Sequence, residues 1–396
     1  MSADKPGDVF AEALALHRAK GGKLEVASKT RVETMADLAL VYTPGVAEAC
    51  REIVRRPEAV YELTAKWNMV AVVTDGSAVL GLGDIGPLAS LPVMEGKSIL
   101  FKRLAGIDSF PLALKTREVD EFVRAVALLT PYLGGINLED ISAPRCFEIE
   151  RKLIEACDIP VFHDDQHGTA VIALAGLYNA LKVVDKEMGR IKAVLSGAGA
   201  SGTAICDFLL AAGVRQIIVC DRGGAIYQGR PDLSEAKADL AARTNPGLEK
   251  GSLAEVIRGA DVVLGLSGPG ALTAGMVKSM AREAVVFALA NPIPEIMPAE
   301  AKAAGARVVA TGRSDFPNQL NNCLGFPGIF KGALAVRARR INEEMKMAAA
   351  RALSGLVSDS ELAPENIIPT VFDTRVVPEI ARVVAEAARN SGVARI

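Results

Sequence analysis

The stretch IKAVLSGAGASGTAICDFLLAAGVRQIIVCD, residues 191–221, decides the fold of this chain. A buried strand, IKAVL, leads into a turn with glycines at Gly197, Gly199 and Gly202, and a helix then leads to a second strand that ends at Asp221. A dinucleotide-binding unit needs these parts in this order: the glycines let the backbone approach the pyrophosphate, the helix N-terminus attracts it, and the acid binds the ribose. The stretch therefore predicts a Rossmann-type dinucleotide site.

The choice of dinucleotide depends on the two residues at the end of the second strand. Asp221 would accept a hydrogen bond from a free ribose 2′-hydroxyl and repel a 2′-phosphate, whereas Arg222 could pair with that phosphate. We therefore predict NAD as the favoured cofactor, with NADP possible. Ala200 and Ser201 lie inside the glycine turn and are expected to complete the loop that receives the pyrophosphate.

A second G-x-G-x-x-G pattern occurs earlier, at Gly81, Gly83 and Gly86, but it lacks the same surroundings. Pro87 follows it, and the nearest acid downstream, Asp108, lies before the next strand rather than at its end. These glycines are therefore predicted to form tight turns that line a pocket, not a second dinucleotide loop.

Strands and helices alternate on both sides of the stretch that binds the dinucleotide. MVAVVTDG, FPLAL and PVF precede it, and DVVLGLSG, AVVFALAN and RVVATG follow it, each separated by a helical segment. Such alternation predicts an α/β fold with a doubly wound parallel sheet. We expect an N-terminal α/β substrate domain at 1–163 and a Rossmann-type domain at 164–396, in which C-terminal helices from about 335 to 396 pack across both domains. The clearest of these helices are predicted at 337–353 and 376–390.

Composition narrows the kinds of partner that this chain of 396 residues can have. Its 45 basic and 47 acidic side chains leave a net charge of −2, so there is no basic field to hold a nucleic acid or an anionic membrane. Apolar runs such as AVVFALA are far shorter than the ~20 residues that span a bilayer. The opening MSADKPGDVFAEAL lacks the apolar core of a secretory signal, so we expect a cytoplasmic protein with a small-molecule substrate.

Two short acidic motifs lie close together in the sequence. Glu139 and Asp140 occur in NLEDISAP, and Asp164 and Asp165 occur in FHDDQHGTA. Paired carboxylates after successive strands suit a hard divalent cation such as Mg²⁺ or Mn²⁺. The alternative for Asp165 is the N-cap of the apolar helix that follows it. Two flanking histidines raise the possibility of zinc, but four carboxylates without a nearby cysteine favour the hard cation.

Eight motifs occur in one order along the chain, and together they resemble malic enzyme. They are VYTPGVA (41–47), VTDGSAVLGLGDIGP (73–87), PVMEGKSILF (92–101), NLEDISAP (137–144), HDDQHGTA (163–170), GAGASG (197–202), ANPIPE (290–295) and LNNCLGFPGIFKGAL (320–334). The resemblance runs from about residue 10 to residue 390. The length and the HDDQHGTA motif are similar to the small bacterial type of the family.

The resemblance implies roles for residues that carry no signal of their own. The implied residues are Tyr42 and Lys97 as the catalytic pair, Asp164 as an acid beside them, Glu139, Asp140 and Asp165 as metal ligands, and Asn291 and Asn322 as the asparagines that hold malate, with Asn291 also near the cofactor. The implied reaction is the oxidative decarboxylation of (S)-malate to pyruvate and CO₂, with NAD(P) as oxidant and Mg²⁺ or Mn²⁺ as cofactor. A homodimer is also implied.

One departure from the family and two alternatives stay open. Larger family members place an arginine after the Thr-Asp-Gly turn to bind a substrate carboxylate, whereas here Ser77 and Ala78 follow Gly76. The carboxylate contact is therefore expected to come from another residue. The alternative functions are a malolactic-type relative that releases lactate and a non-catalytic dinucleotide-binding protein.

Overall fold

A helical arm precedes both sheets in the computed structural model, which describes residues 9–79 and 81–396. The helices of the arm are α1 (Val9–Lys20), α2 (Met35–Val41), α3 (Val46–Arg55) and α4 (Val60–Leu63), with 3₁₀ turns at Pro57–Ala59 and Ala65–Asn68. Helices α1 to α4 bury no side chain against the described part of the chain. Short helices depend on packing for their stability, and these four are largely exposed within the described chain. The secretory-signal argument began on residues 1–8, which lie outside the described residues.

The first sheet has four parallel strands in the order β2-β1-β3-β4. Its strands and helices are β1 (Met69–Thr74), α5 (Gly86–Ala105), β2 (Asp108–Ala113), α6 (Val119–Ala127), β3 (Gly135–Leu138), α7 (Arg145–Ala156) and β4 (Val161–His163). Alternate residues of β1 enter two different cores, with Val70 and Val72 on one face and Ala71 and Val73 on the other. Both acidic motifs therefore follow strands that end at the same edge of this sheet.

The second sheet has six strands in the order β10-β9-β8-β5-β6-β7. Its strands and helices are β5 (Lys192–Ser196), α9 (Ala200–Ala211), β6 (Gln216–Asp221), β7 (Gly224–Ala225), α10 (Glu235–Arg243), α11 (Leu253–Val256), β8 (Val262–Gly265), α12 (Ala274–Lys278), β9 (Ala284–Ala288), α13 (Pro298–Ala303) and β10 (Ala306–Thr311). All pairs are parallel except β6 with the short edge strand β7. Gly197 and Gly202 are tightly enclosed, since a Cβ on Gly202 would lie 2.0 Å from the Gly197 carbonyl oxygen.

Four helices join the two sheets through one continuous core. The chain passes from β4 through a π-helical turn, Asp164–Gly168, into the bridging helix, which is followed after the second sheet by the C-terminal helices and a 3₁₀ turn at Asn322–Leu324. These helices are α8 (Thr169–Val183, the bridging helix), α14 (Phe326–Ala335), α15 (Glu343–Gly355) and α16 (Val376–Asn390). Phe326 and Phe330 of α14 pack against Phe101 of α5 at ring separations of 4.6 and 5.3 Å. This packing fixes one sheet relative to the other.

The predicted fold class is confirmed: the protein is α/β, with a Rossmann-type domain that contains the 191–221 unit as β5, α9 and β6. The helix predicted over 376–390 has those bounds, but the one predicted from 337 begins at Glu343. The Asn342 side chain caps that helix by accepting from the Met345 N–H. In the part of the chain that is described, no helix has the length and apolarity needed to cross a bilayer.

Candidate active site

A cavity of about 890 Å³ lies where the carboxyl ends of strands from both sheets face each other. Its wall contains seven of the residues predicted from sequence: Lys97, Glu139, Asp140, Asp165, Ser201, Asn291 and Asn322. Gly81 of the first glycine pattern lines it too. Gly81, Gly83 and Gly86 all have positive φ angles, between +72° and +75°, so the predicted tight turns are confirmed.

The three predicted metal ligands lie together in this wall. Glu139, Asp140 and Asp165 each offer a carboxylate oxygen, and these oxygens lie within 4.8 Å of one another. Asp140 has a left-handed backbone, φ +54°, and its N–H donates to Asp165 Oδ2 at 2.7 Å. The alternative reading of Asp165 as a helix N-cap is not what the structure shows, because α8 begins after Gly168 and has no side-chain cap.

The π-helical turn places the Asp164 side chain against Lys97, one of the residues of the cavity wall. Asp164 is fully buried, and a Cβ on Gly168 would lie only 1.9 Å from its Oδ1 atom, so this turn requires glycine. The same Cβ would lie 3.2 Å from the Asn322 Cβ. Asp164, Gly168 and Asn322 thus form one tightly packed corner beneath the cavity.

Lys97 links the corner to the ligand cluster. Its Nζ donates to Asp164 Oδ2 at 2.5 Å and lies 2.9 Å from Glu139 Oε1, and it stands 4.5 Å from the centre of the Phe326 ring. Burial by itself would lower the pKa of this amine, but Asp164 and Glu139 outweigh burial and raise that pKa above its ordinary value. In turn, burial raises the pKa values of Glu139 and Asp164 against the opposing effect of Lys97.

The donor set fits a divalent cation. Four carboxyl groups, those of Glu139, Asp140, Asp164 and Asp165, share a largely buried site with one ammonium group, which pairs with Glu139 and Asp164. The excess of negative charge would be costly without a cation, and oxygen donors at this spacing suit Mg²⁺ or Mn²⁺.

Tyr42 is a predicted catalytic residue that the fold does not bring to either cavity. It ends α2, its surface is 66% exposed, and it is not part of the cavity wall. Its helix, α2, buries no side chain within the described chain. The predicted catalytic role of Tyr42 therefore needs a contact that a single chain does not supply.

A buried serine, Ser77, follows the Thr-Asp-Gly turn where larger family members have the arginine. Ser77 Oγ donates to Asp75 Oδ1 at 2.5 Å and accepts from the Arg145 guanidinium at 3.0 Å, and neither Arg145 nor Ser77 lines the cavity. Besides Lys97, the described cavity wall carries one further lysine, Lys23. Lys23 Nζ donates to the Pro92 carbonyl at 2.8 Å, and burial lowers the pKa of Lys23.

A second cavity, of about 700 Å³, lies over the 191–221 unit. It is lined by Gly197, Gly199, Asp221, Arg222 and Lys237, and it shares Leu266 and Ser267 with the first cavity. The predicted loop and ribose-binding acid are thus brought together next to the carboxylate cluster. The two cavities suit a dinucleotide and a small substrate that meet at their common wall.

Three residues near these cavities were given no role from the sequence. Arg230 and Lys237 form ion pairs with Asp221, yet Arg230 follows it by 9 residues in an irregular segment and Lys237 by 16 residues on α10. Glu295 is buried in the ANPIPE motif, where its carboxylate accepts from the Ser267 N–H at 2.9 Å and the Ala290 N–H at 3.1 Å. Only Glu295 could have been suspected, since it lies within a motif that the resemblance includes.

Comparison with known proteins agrees with this geometry. The chain matches the family descriptions "Malic enzyme, N-terminal domain" over residues 21–154 and "Malic enzyme, NAD binding domain" over residues 166–389. It is 58% identical to the bifunctional malic/malolactic enzyme of Bacillus subtilis, covering 97% of this chain and 94% of that protein. It is also 58% identical to the NAD-dependent malic enzyme of Geobacillus stearothermophilus, covering 95% of this chain and 78% of that protein.

A solved structure gives the same result in three dimensions. The crystal structure of malic enzyme from Pyrococcus horikoshii superposes with a TM-score of 0.92 at 49% identity, covering 98% of this chain and 92% of that one. Glu139 and Asp140 fall inside the first matched range and the dinucleotide loop falls inside the second, while Asp165 lies between the two ranges. The chain therefore belongs to the malic enzyme family.

Proposed function

We propose that this protein oxidises (S)-malate with NAD(P) and decarboxylates the product to pyruvate and CO₂. The observation that carries the proposal is the common wall of the two cavities, which places Lys97 and the carboxylate cluster beside the dinucleotide loop. We assign residues 1–163 to the substrate domain and residues 164–396 to the NAD(P)-binding domain, with the C-terminal helices packed against both.

Glu139, Asp140 and Asp165 would hold Mg²⁺ or Mn²⁺ in this site. The cation, when bound, polarises the C2 oxygen of malate and stabilises the negative charge that develops there during decarboxylation. Asn291 and Asn322 line the same cavity, and their amides would orient the substrate carboxylates. Lys23 is the cation that we expect to contact the carboxylate left without the family arginine.

Lys97 would act as the general base on the C2 hydroxyl. Its Nζ accepts the hydroxyl proton as hydride leaves C2 for the oxidised cofactor, which converts malate to oxaloacetate. Asp164 then stabilises the ammonium group that results, since its Oδ2 lies 2.5 Å from Nζ. A lysine acts as a base only when it is neutral. The negative charge of the carboxylates that raise the pKa of Lys97 must therefore be balanced by further positive charge before each turnover.

Tyr42 would protonate C3 of the enolate that remains after CO₂ leaves, giving pyruvate. Because its phenol lies outside the cavity of its own chain, we propose that it reaches the cavity of a second copy in a homodimer. The exposed apolar side chains of α2 and α3, such as Met35, Leu40 and Val54, support this assignment, since exposed apolar surface of this kind marks an interface.

For the cofactor we propose NAD as favoured over NADP, because Asp221 ends β6 inside the dinucleotide cavity. The relative from Geobacillus stearothermophilus is named as NAD-dependent, which supports the same choice. We also propose a cytoplasmic location.

The test of the proposal is the appearance of NADH absorbance with purified protein, (S)-malate, Mn²⁺ and NAD, compared with NADP. A specific observation favours one second candidate: the Bacillus subtilis relative is named as both a malic and a malolactic enzyme. Release of lactate without net NADH would identify that second activity. Absence of any turnover with both cofactors would contradict the proposed function.

A further inference from the structure

Ser77, which follows the Thr-Asp-Gly turn, lies between a buried acid and the loop that carries a proposed metal ligand. Its Oγ donates to Asp75 Oδ1 at 2.5 Å, and it accepts from the Ser142 N–H at 2.8 Å and from Arg145 Nη2 at 3.0 Å. A hydroxyl has one donor and two acceptor sites, so these three contacts use all of them. Ser77 is only 8% exposed and is not part of the cavity wall. Its hydroxyl therefore acts within the protein and not on a substrate.

The loop that Ser77 contacts is the one that carries Asp140. The backbone of Asp140 is left-handed, with φ +54°, a conformation that persists in a residue other than glycine only where the surroundings hold it. The Asp140 carbonyl accepts from the Ala78 N–H at 2.9 Å, and its N–H donates to Asp165 Oδ2 at 2.7 Å. Residues 77 and 78 thus hold this loop at two points, at Asp140 itself and at Ser142, the second residue after it.

Asp75 anchors this arrangement from inside the domain. Its carboxylate is fully buried, and Oδ2 pairs with Arg145 at 2.6 Å and with Arg117 at 3.2 Å. Oδ1 accepts from the N–H of Ser77 at 3.0 Å as well as from its hydroxyl. Because a buried charge is costly to leave unpaired, Asp75 fixes the groups that contact it. The Ser77 hydroxyl is therefore held in one orientation, with its acceptor sites directed at Ser142 and Arg145.

We propose that Ser77 is a positioning residue for the metal site: its hydroxyl couples the fixed carboxylate of Asp75 to the backbone at 140–142 and so holds the Asp140 carboxylate in the ligand cluster. Ser77 contacts neither the cation nor the substrate. After the turn where larger family members carry a substrate-binding arginine, this chain instead carries a serine that supports the cation. This inference rests on the proposed metal-dependent function and names a residue that sets the metal affinity of that site.

Calorimetric titration of the purified protein with Mn²⁺, without malate or dinucleotide, tests the proposal. Ser77→Ala removes the hydroxyl and leaves the Ser142 N–H without its acceptor. We expect the affinity for Mn²⁺ to fall about tenfold or more, the usual effect of losing a group that orients a metal ligand. Ser77→Thr keeps a hydroxyl on the same carbon and should retain the affinity of the wild type.

Ser391→Ala is the matched control for the loss of a serine hydroxyl. Ser391 Oγ also both accepts and donates, since it accepts from Asn342 Nδ2 at 2.8 Å and donates to the Ala387 carbonyl at 2.7 Å, but it lies outside the cavity wall. Both alanine variants should lose some stability in urea titrations, whereas only Ser77→Ala should lose affinity for Mn²⁺.

Three results would overturn the role of Ser77 while leaving the metal site intact. They are wild-type affinity for Mn²⁺ in Ser77→Ala, an equal loss of affinity in Ser391→Ala, and a Ser77→Ala chain that circular dichroism shows to be unfolded, since the serine would then serve the fold as a whole. If the wild-type protein binds no Mn²⁺, the proposed metal site itself is wrong and the inference fails with it.

Discussion

Asp165 connects the two acidic motifs at the level of a single residue, since its Oδ2 accepts from the Asp140 backbone. Asp165→Asn keeps an oxygen acceptor at this position but removes one charge from the ligand set. We expect Mn²⁺ affinity to fall about a hundredfold and malate turnover to be nearly lost, because ligand charge sets the affinity of such sites. Calorimetric titration with Mn²⁺ measures the first effect, and a malate assay with and without chelator measures the second.

Asp120→Asn provides the control for Asp165, because Asp120 is an exposed acid whose contact is an ion pair with Lys152. This variant should bind Mn²⁺ like the wild type. Full activity of the wild-type protein in excess chelator would contradict the assignment of the ligand cluster.

The next prediction concerns Lys23, which we propose binds the substrate carboxylate in place of the arginine that larger family members carry. Lys23→Met should raise the KM for malate about tenfold or more while kcat changes less, because the lost contact binds substrate rather than reacting atoms. Lys20→Met, an exposed lysine at the end of α1 outside the cavity wall, is the matched control. A malate KM equal to that of the wild type would mean that another group binds the carboxylate.

Residues could be predicted from sequence where their signal is local. A hard-cation site was predicted because two acid pairs, Glu139 with Asp140 and Asp164 with Asp165, each directly follow a buried strand, and the family resemblance then implied which three are the ligands. Lys23 and Lys237 were not predicted, because the partners of Lys23 lie 69 and 72 residues away and that of Lys237 lies 16 residues away across an irregular segment. Contacts of this kind depend on how the elements pack and leave no pattern in the chain.

At the scale of elements, α7, the π-helical turn and α15 are held together by a buried charged network. Glu150 of α7 accepts from the backbone N–H of His163 at 2.9 Å and lies 3.0 Å from His167 Nε2, whose other ring nitrogen lies 3.1 Å from Lys346 Nζ of α15. Burial alone would raise the pKa of Glu150, but His167 outweighs burial and lowers that pKa to about 2. This network supports the turn that carries Asp165.

Glu150→Gln should destabilise the fold by about 3–5 kcal/mol, because it removes one partner from a buried ionic network. The folded pKa of Glu150 lies below its unfolded value near 4.3, so its contribution is present above about pH 4.3 and is lost as the pH falls toward 2. The stability difference between wild type and variant should therefore shrink over that range in urea titrations. Glu155→Gln, on the same helix but exposed and paired with Arg151, should cost less than about 1 kcal/mol.

A pH-independent difference between Glu150→Gln and the wild type would contradict the ionised state of Glu150.

The sequence predicted the elements of this region better than their ends. The helix near 376–390 was predicted with its observed bounds, but α15 starts six residues later than predicted because Asn342 caps it. The π-helical turn was not predicted, since it depends on the close approach of Asp164 to Gly168.

At the scale of the whole molecule, the position of Tyr42 outside its own cavity leads to a prediction about paired chains. If Tyr42 acts in the cavity of a second copy, Tyr42→Phe and Lys97→Ala chains should each be inactive alone but complement each other when mixed. Half of the dimers would then be mixed, with one intact site each, so about a quarter of wild-type activity should return. Tyr132→Phe mixed with Lys97→Ala is the control, because Tyr132 lies outside the cavity wall.

No recovery of activity in mixed dimers, with exchange of chains verified by mass spectrometry, would mean that Tyr42 acts within its own chain or not at all.

This part of the site could not be placed from one sequence, because the residues that form an interface between copies carry the same apolar signal as a core. The apolar side chains of α1 and α2 would be read as core positions, yet the structure leaves them exposed.

The central claim is that one site oxidises malate and removes its carboxylate. The most direct measurement follows ¹³C-labelled (S)-malate by NMR together with NADH absorbance, using purified protein, Mn²⁺ and NAD. We predict one pyruvate, one CO₂ and one NADH for each malate consumed, with all three lost in Asp165→Asn. Accumulation of oxaloacetate without CO₂, or of lactate without NADH, would contradict the claim.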